Sequence, residues 1–201
     1  RAQFTPIDLI LIYNTYKELS PLDKNSDRIQ ENLAKAYIEL DLPDEAQKIM
    51  EHLVRFRSEG DEKAMRGFLL AEALAIDKKN QEALSILDTS DVPNVKADLA
   101  DQRLFLKASL LKQNENYEDA LKLLNERNDL LALRMKAEIF ADQKEWSKIT
   151  EIYDMLSQTR KDQLDEKDIF YYMISLVYTN NNKKLEEISK DFIQIMDKEP
   201  L

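Results

Sequence analysis

The sequence predicts an all-α chain of about five antiparallel helical hairpins behind one leading helix, and three observations carry that expectation. Only two glycines and five prolines interrupt 201 residues, whereas sandwiches and barrels need turn residues at short, regular intervals. Leu, Lys, Glu and Ala, all good helix formers, are among the commonest residues. Finally, a pair of small residues twelve positions apart recurs as Ala34 and Ala46, Ala71 and Ala83, and Ala108 and Ala120, and once more with a larger second member as Ala137 and Ile149. Each pair brackets a short polar break: "DLPD", "DKKN", "QNEN" and "DQKE".

The leading helix is expected over residues 5 to 19. Thr5 is a good N-cap, Pro6 suits the first helical position, and Asp8 forms a capping-box-like pair with Thr5. Ser20-Pro21 should end it, and "PLDKNSD" reads as a linker. Residues 1–26 are thus a leading helix and linker, ahead of a repeat domain over 27–201. Leu9 and Tyr13 lie 37 positions before Ala46 and Met50, so this helix is in phase as the second helix of an earlier hairpin. Ile7, Leu9, Ile10, Leu11, Ile12 and Tyr13 make it apolar on nearly every side, and a helix of that kind is normally covered all round. Those residues are expected to pack on a second copy of the chain or on residues that precede it.

In the first hairpin Ile29, Leu33, Tyr37 and Leu40 follow a 3.6-residue period, as do Ile49, Met50, Leu53 and Phe56 after the break. Two helices joined by a tight turn lie antiparallel. A small residue where they cross lets the backbones approach, and alanine does this without the helix penalty of glycine. The first small residue is expected midway along helix A and the second near the start of helix B. The fifth hairpin is placed at residues 165 to 197, with Met173 and Leu185 in the two small-residue positions.

The series Leu33-Ala34-x-x-Tyr37, then Ala46-x-x-x-Met50, resembles the tetratricopeptide (TPR) repeat pattern of leucine, small residue, aromatic, alanine and large apolar residue. The later units keep it loosely, with Leu70, Ala71, Leu74, Ala83 and Leu87, then Ala108, Leu111, Ala120 and Leu124, then Ala137, Phe140, Ile149 and Tyr153. The aromatic expected early in helix A is missing, as Gln30 shows, and so is the closing proline. The resemblance is therefore to the superfamily, and it covers about residues 27 to 197. It implies a right-handed α-solenoid whose A helices line a concave face.

On that face the resemblance places Arg28, Glu31, Lys35 and Ile38, then Met65, Phe68, Glu72 and Ala75, then Gln102, Phe105, Ser109 and Lys112, then Leu131, Arg134, Glu138 and Ala141. The expected partner-binding residues are Arg28, Lys35, Met65, Phe68, Phe105, Lys112 and Arg134. Phe68 and Phe105 would anchor an apolar segment, and Arg134, Lys35 and Lys112 would read acidic flanks. Lys35 stands where one family subtype has the first asparagine of a carboxylate clamp, which disfavours a chaperone-tail adaptor.

Other chemistries find little support. The Asp23, Asn25, Asp27 spacing opens like a calcium loop, but Arg28 and Ala34 stand where that loop needs glycine and glutamate; Asp27 is read instead as a helix N-cap. His52 is the only histidine and there is no cysteine, so a zinc site of usual composition cannot form. Gly60 and Gly67, with Lys63 and Arg66 nearby, do not form a phosphate loop. Paired acids such as Glu118-Asp119 and Glu186-Glu187 read as solvated helix faces. No cofactor is expected.

A formal charge of −10, with no basic run longer than short pairs such as Lys78-Lys79 and Lys183-Lys184, repels a phosphate backbone, so nucleic acid is not an expected partner. No apolar run approaches the roughly 20 residues needed to cross a bilayer. The lack of cysteine suits a cytoplasmic or an extracytoplasmic compartment equally. The function implied is a non-catalytic protein-interaction scaffold. The alternative is a helical regulatory or structural domain of a larger enzyme or membrane-anchored assembly protein, self-associating through the leading helix.

Overall fold

A computed structural model of the chain describes residues 5–16 and 24–196. Among these residues there are eleven α-helices and no strand. The chain divides into two compact units, Arg1–Ala120 and Leu121–Leu201. The first holds α1 (Pro6–Tyr16), α2 (Lys24–Glu39), α3 (Pro43–Phe56), α4 (Gly60–Ile76), α5 (Asn80–Thr89), α6 (Ala97–Gln113) and the start of α7 (Tyr117–Leu124). The second holds the end of α7, then α8 (Leu130–Asp142), α9 (Trp146–Thr159), a 3₁₀ turn (Lys161–Gln163), α10 (Glu166–Tyr178) and α11 (Asn182–Met196).

The five hairpins close with one device. A residue in the left-handed region follows each A helix: Asp41, Lys78, Glu115, Lys144 and Asn180, with φ between 55° and 61°. The next amide in each case donates back to the carbonyl of Tyr37, Leu74, Leu111, Phe140 or Leu176, at 2.8–2.9 Å. The left-handed residue's own amide donates to the carbonyl three residues earlier, as Asp41 does to Ile38 at 3.0 Å. This double closure is the Schellman motif, which satisfies the last helical carbonyls and turns the chain sharply.

The turn fixes where the helices cross. Ala34, Ala46, Ala71, Ala83, Ala108, Ala120, Ala137 and Ile149 are all fully buried. The first member of each pair lies in the C-terminal half of its A helix rather than midway. In the fifth hairpin Met173 and Leu185 are only half-buried. There Tyr172, Ser175 and Leu176 are buried on α10 instead. Thr150 of α9 donates to Ser175 Oγ at 3.0 Å, and Ser175 donates to the Tyr172 carbonyl at 2.7 Å.

Each unit has its own core. Ala34, Met50, Leu53, Leu70, Leu74, Leu87 and Leu110 belong to the first, and Leu133, Ala137, Ile149, Tyr153, Leu156, Tyr172 and Leu176 to the second. Burial of such side chains, at about 25 cal/mol per Å² of apolar surface, is the main stabilising term.

Three local expectations need correction. Ile29, expected in the apolar stripe of α2, is 43% exposed. Asp27 is not an N-cap: α2 begins at Lys24, and the Asp27 carboxylate accepts instead from Arg57 Nε at 3.1 Å. Phe56 is not part of the buried stripe of α3. It is the last residue of that helix, 65% exposed, with the Arg55 guanidinium 5.3 Å above its ring and His52, also exposed, 5.5 Å away. The Thr5 and Asp8 pair does cap α1: Asp8 N donates to Thr5 Oγ1 at 3.2 Å and Thr5 N to Asp8 Oδ2 at 2.9 Å. The expected end of that helix at Ser20-Pro21 lies outside the described residues.

Candidate partner-binding face

In the first unit α2, α4 and α6 are the A helices, and α4 packs against both of the others. Because Ala34, Ala71 and Ala108 point into the hairpins, the residues three before and one and four after each alanine share a different face. On α2 these are Glu31, Lys35 and Ile38; on α4 Phe68, Glu72 and Ala75; on α6 Phe105, Ser109 and Lys112. All nine are half-buried, as expected of a face lined by neighbouring A helices. One turn earlier on each helix, Met65 is half-buried while Arg28 and Gln102 are exposed.

Phe68 packs against the first core while keeping part of its ring accessible, and Phe105 is likewise neither fully buried nor exposed. Lys35 Nζ donates to Glu31 Oε1 at 2.8 Å. The other oxygen of Glu31 lies 3.5 Å from Nε of Arg66, a guanidinium 2% exposed whose Nη1 donates to the Arg57 carbonyl at 2.8 Å and to Ser58 Oγ at 2.9 Å. Glu31 therefore ties a buried cation to a surface one. Burial raises the pKa of the Glu72 carboxylate, with Lys35 opposing that shift only in part.

In the second unit Arg134 is held within the fold. Its Nε donates to both carboxylate oxygens of Asp168 at 3.0 Å and its Nη2 to the Gln163 carbonyl at 3.0 Å, with Asp165 2.9 Å away. Asp168 is buried and also accepts from Tyr153 Oη at 3.2 Å. With Asp165 it forms the capping box of α10. Burial, then the Asp168 charge, pushes the Tyr153 phenol well above the ordinary tyrosine range. This is a cap and a helix-to-helix clamp, in which the charge of Arg134 is matched by two carboxylates.

Within the second unit the same offsets, counted from Met173, fall on α10, which packs on α8. Phe170 stands three residues before Met173, the offset of Phe68 from Ala71 and of Phe105 from Ala108. It is 60% exposed, and Val177 is 52% exposed. Lys167 donates to Glu138 of α8, which joins the two A helices on that side. The signal was available: repeating the alanine offset around Met173 yields Lys167, Phe170, Ile174 and Val177.

On the leading helix Leu9, Ile10 and Tyr13 are half-buried, and α1 packs on α2. Ile7, Leu11, Ile12 and Tyr16 are exposed. Among the described residues no cluster of three His, Asp or Glu side chains could hold a metal ion. No helix there is long and apolar enough to cross a membrane.

This is the fold of a TPR-like helical-repeat protein, as comparison with solved structures shows. MamA (41-end) from Desulfovibrio magneticus RS-1 superposes with a TM-score of 0.68 at 14% identity, over 87% of this chain and 97% of that one. Nearly identical TPR-like repeats described as those of a kinesin light chain, from Podosopora anserina, give 0.69 at 15% identity, over 90% of this chain and 100% of the other. A MamA RS-1 double mutant gives 0.67 at 14% identity, over 85% and 94%. No protein-family model matches the chain, and no curated protein does.

Proposed function

We propose that this chain is a non-catalytic scaffold that holds a segment of another protein on the A-helix face of its first unit. Phe68 and Phe105 are the anchors, surrounded by Arg28, Lys35, Met65 and Lys112, and Arg134 supports the corresponding face of the second unit. The observation that carries the reading is the pair of half-buried phenylalanines at equivalent positions on α4 and α6, in a TPR-like fold. A half-buried ring is held in place by its own core yet offers apolar area to a ligand, and aromatic side chains supply a disproportionate share of interface energy. Protein is the partner class, and nucleic acid is disfavoured by the −10 formal charge. A photo-crosslinking residue placed at Ser109, compared with one at exposed Lys122, tests this in cell lysate. Discrete protein adducts from position 109 alone support it, and identical adducts from both positions contradict it.

A second reading concerns self-association. Ile7, Leu11, Ile12 and Tyr16, 42–60% exposed, make α1 a surface for a second copy, with Leu9, Ile10 and Tyr13 holding the helix on α2. Sedimentation of the chain and of its Leu11→Asp variant tests it. A concentration-dependent dimer that the substitution dissolves supports the reading, and a monomer at all concentrations contradicts it.

A further inference from the structure

A carboxylate stands on the middle helix of the proposed face. Lys35 on α2 is bonded to Glu31, and Ser109 on α6, at the same register, is a neutral hydroxyl. Between them, on the middle helix, stands Glu72, half-buried and raised in pKa by desolvation. Among the described residues its carboxylate makes no hydrogen bond or ion pair, and Lys35, itself bonded to Glu31, offsets its desolvation only in part. One turn to either side along α4 are Phe68 and Ala75, both packed on the first core. A carboxylate drawn partly out of water beside apolar neighbours is under-compensated, and a cation brought to it regains what desolvation removed.

We propose that this face selects a basic segment: an arginine or lysine of the bound peptide seats its charge on Glu72 and its aliphatic stem along Phe68. The inference rests on the scaffold reading and names its partner's chemistry. Phe68 and Glu72 are four residues apart on α4, so they are neighbours on one side of the helix. An aromatic ring beside a carboxylate suits a side chain with a long apolar stem and a cationic tip. The overall charge of −10 draws such a partner in and repels an acidic one.

Selection of phage-displayed random dodecapeptides against the whole chain tests this. The expected peptides carry Arg or Lys among apolar residues. Replacing that residue by Gln should weaken binding about tenfold or more, the scale of a charge-assisted hydrogen bond. Glu72→Gln, nearly isosteric, should produce the same loss, with no further loss when both changes are combined. Glu72→Lys should turn the selection towards acidic peptides. Neutral or acidic peptides whose binding falls with Phe68→Ala and Phe105→Ala but ignores Glu72→Gln would overturn the basic-segment inference and leave the scaffold reading standing. Peptides indifferent to all of these substitutions would overturn both.

Discussion

Gly67 of α4 and Ser90 at the end of α5 are so close that a Cβ on Gly67 would lie 2.0 Å from Ser90 Oγ and 2.3 Å from Ser90 Cβ. Ser90 is fully buried and its hydroxyl donates to the Ile86 carbonyl at 2.6 Å. Arg103 of α6 reaches the same point, donating to Ser90 Oγ at 3.2 Å, to the Ala64 carbonyl at 2.7 Å and to the Leu87 carbonyl at 2.6 Å. Glycine is thus required by packing, since Gly67 lies inside a helix. Gly67→Ala should destabilise the first unit by about 1–3 kcal/mol or more, read by chemical denaturation. Ser90→Gly in that background should recover part of the loss; no recovery would refute the contact.

The five left-handed turn residues make an opposite prediction. Lys78, Glu115 and Lys144 are exposed and hold φ near 60°, a conformation costly for an ordinary side chain and free for glycine. Lys78→Gly and Lys144→Gly should each stabilise the chain, by about 0.5–1 kcal/mol. Asn180→Gly should gain less, because asparagine tolerates this region. Loss of stability at all three positions would show that these turns do not adopt the Schellman geometry.

Bulk at the hairpin crossings should be poorly tolerated. Ala108→Leu or Ala120→Leu places three more carbons at a fully buried position and should cost about 1–3 kcal/mol or more. Changes at exposed Lys122, on the same helix as Ala120, should stay within about ±0.5 kcal/mol. Equal effects at the two kinds of site would contradict the repeat register.

Glu72 gives a pH signature. Its pKa is raised in the fold by desolvation, so on raising the pH the unfolded chain releases this proton first. The resulting penalty on the folded state is absent below the unfolded glutamate pKa of about 4.3. It grows as pH passes the unfolded value and is complete above the folded one. Lys35 is the cation that offsets it, while held by Glu31. Glu72→Gln should therefore melt higher than the parent at pH 7 and alike at pH 3. A lower melting point at pH 7 would mean that the carboxylate is compensated within the chain.

Much of this fold was legible because its repeat is written in residue size. Alanine at a crossing cannot be exchanged for a larger side chain without cost, so the twelve-residue pair is plain in this sequence where other positions of the TPR pattern are absent. Four of the five turns were visible as polar breaks, but the left-handed residues were not, since none of the five is glycine. The fifth A helix was placed correctly and Met173 marks its register, but the offsets were not carried from Met173 onto Phe170 and Val177. The pairing of Arg134 with Asp168 was out of reach. Nothing local in "LRMK" shows that a carboxylate 34 residues away will be buried beside it. Asp27 misled for a related reason: an acid near a helix start resembles a cap, and only the tertiary partner Arg57 reveals its use.

The central claim, that Phe68 and Phe105 are anchors for a partner segment, is tested most directly by measuring peptide affinity and melting temperature together on the Phe68→Ala, Phe105→Ala double variant. If the rings are anchors, each truncation removes about 2 kcal/mol or more of binding, and selected peptides no longer bind at a temperature where the variant remains folded. If the rings serve the core alone, truncation costs about 3–5 kcal/mol of stability each. The melting temperature then falls by many degrees while the molecules that remain folded bind with unchanged affinity, and that result would contradict the account.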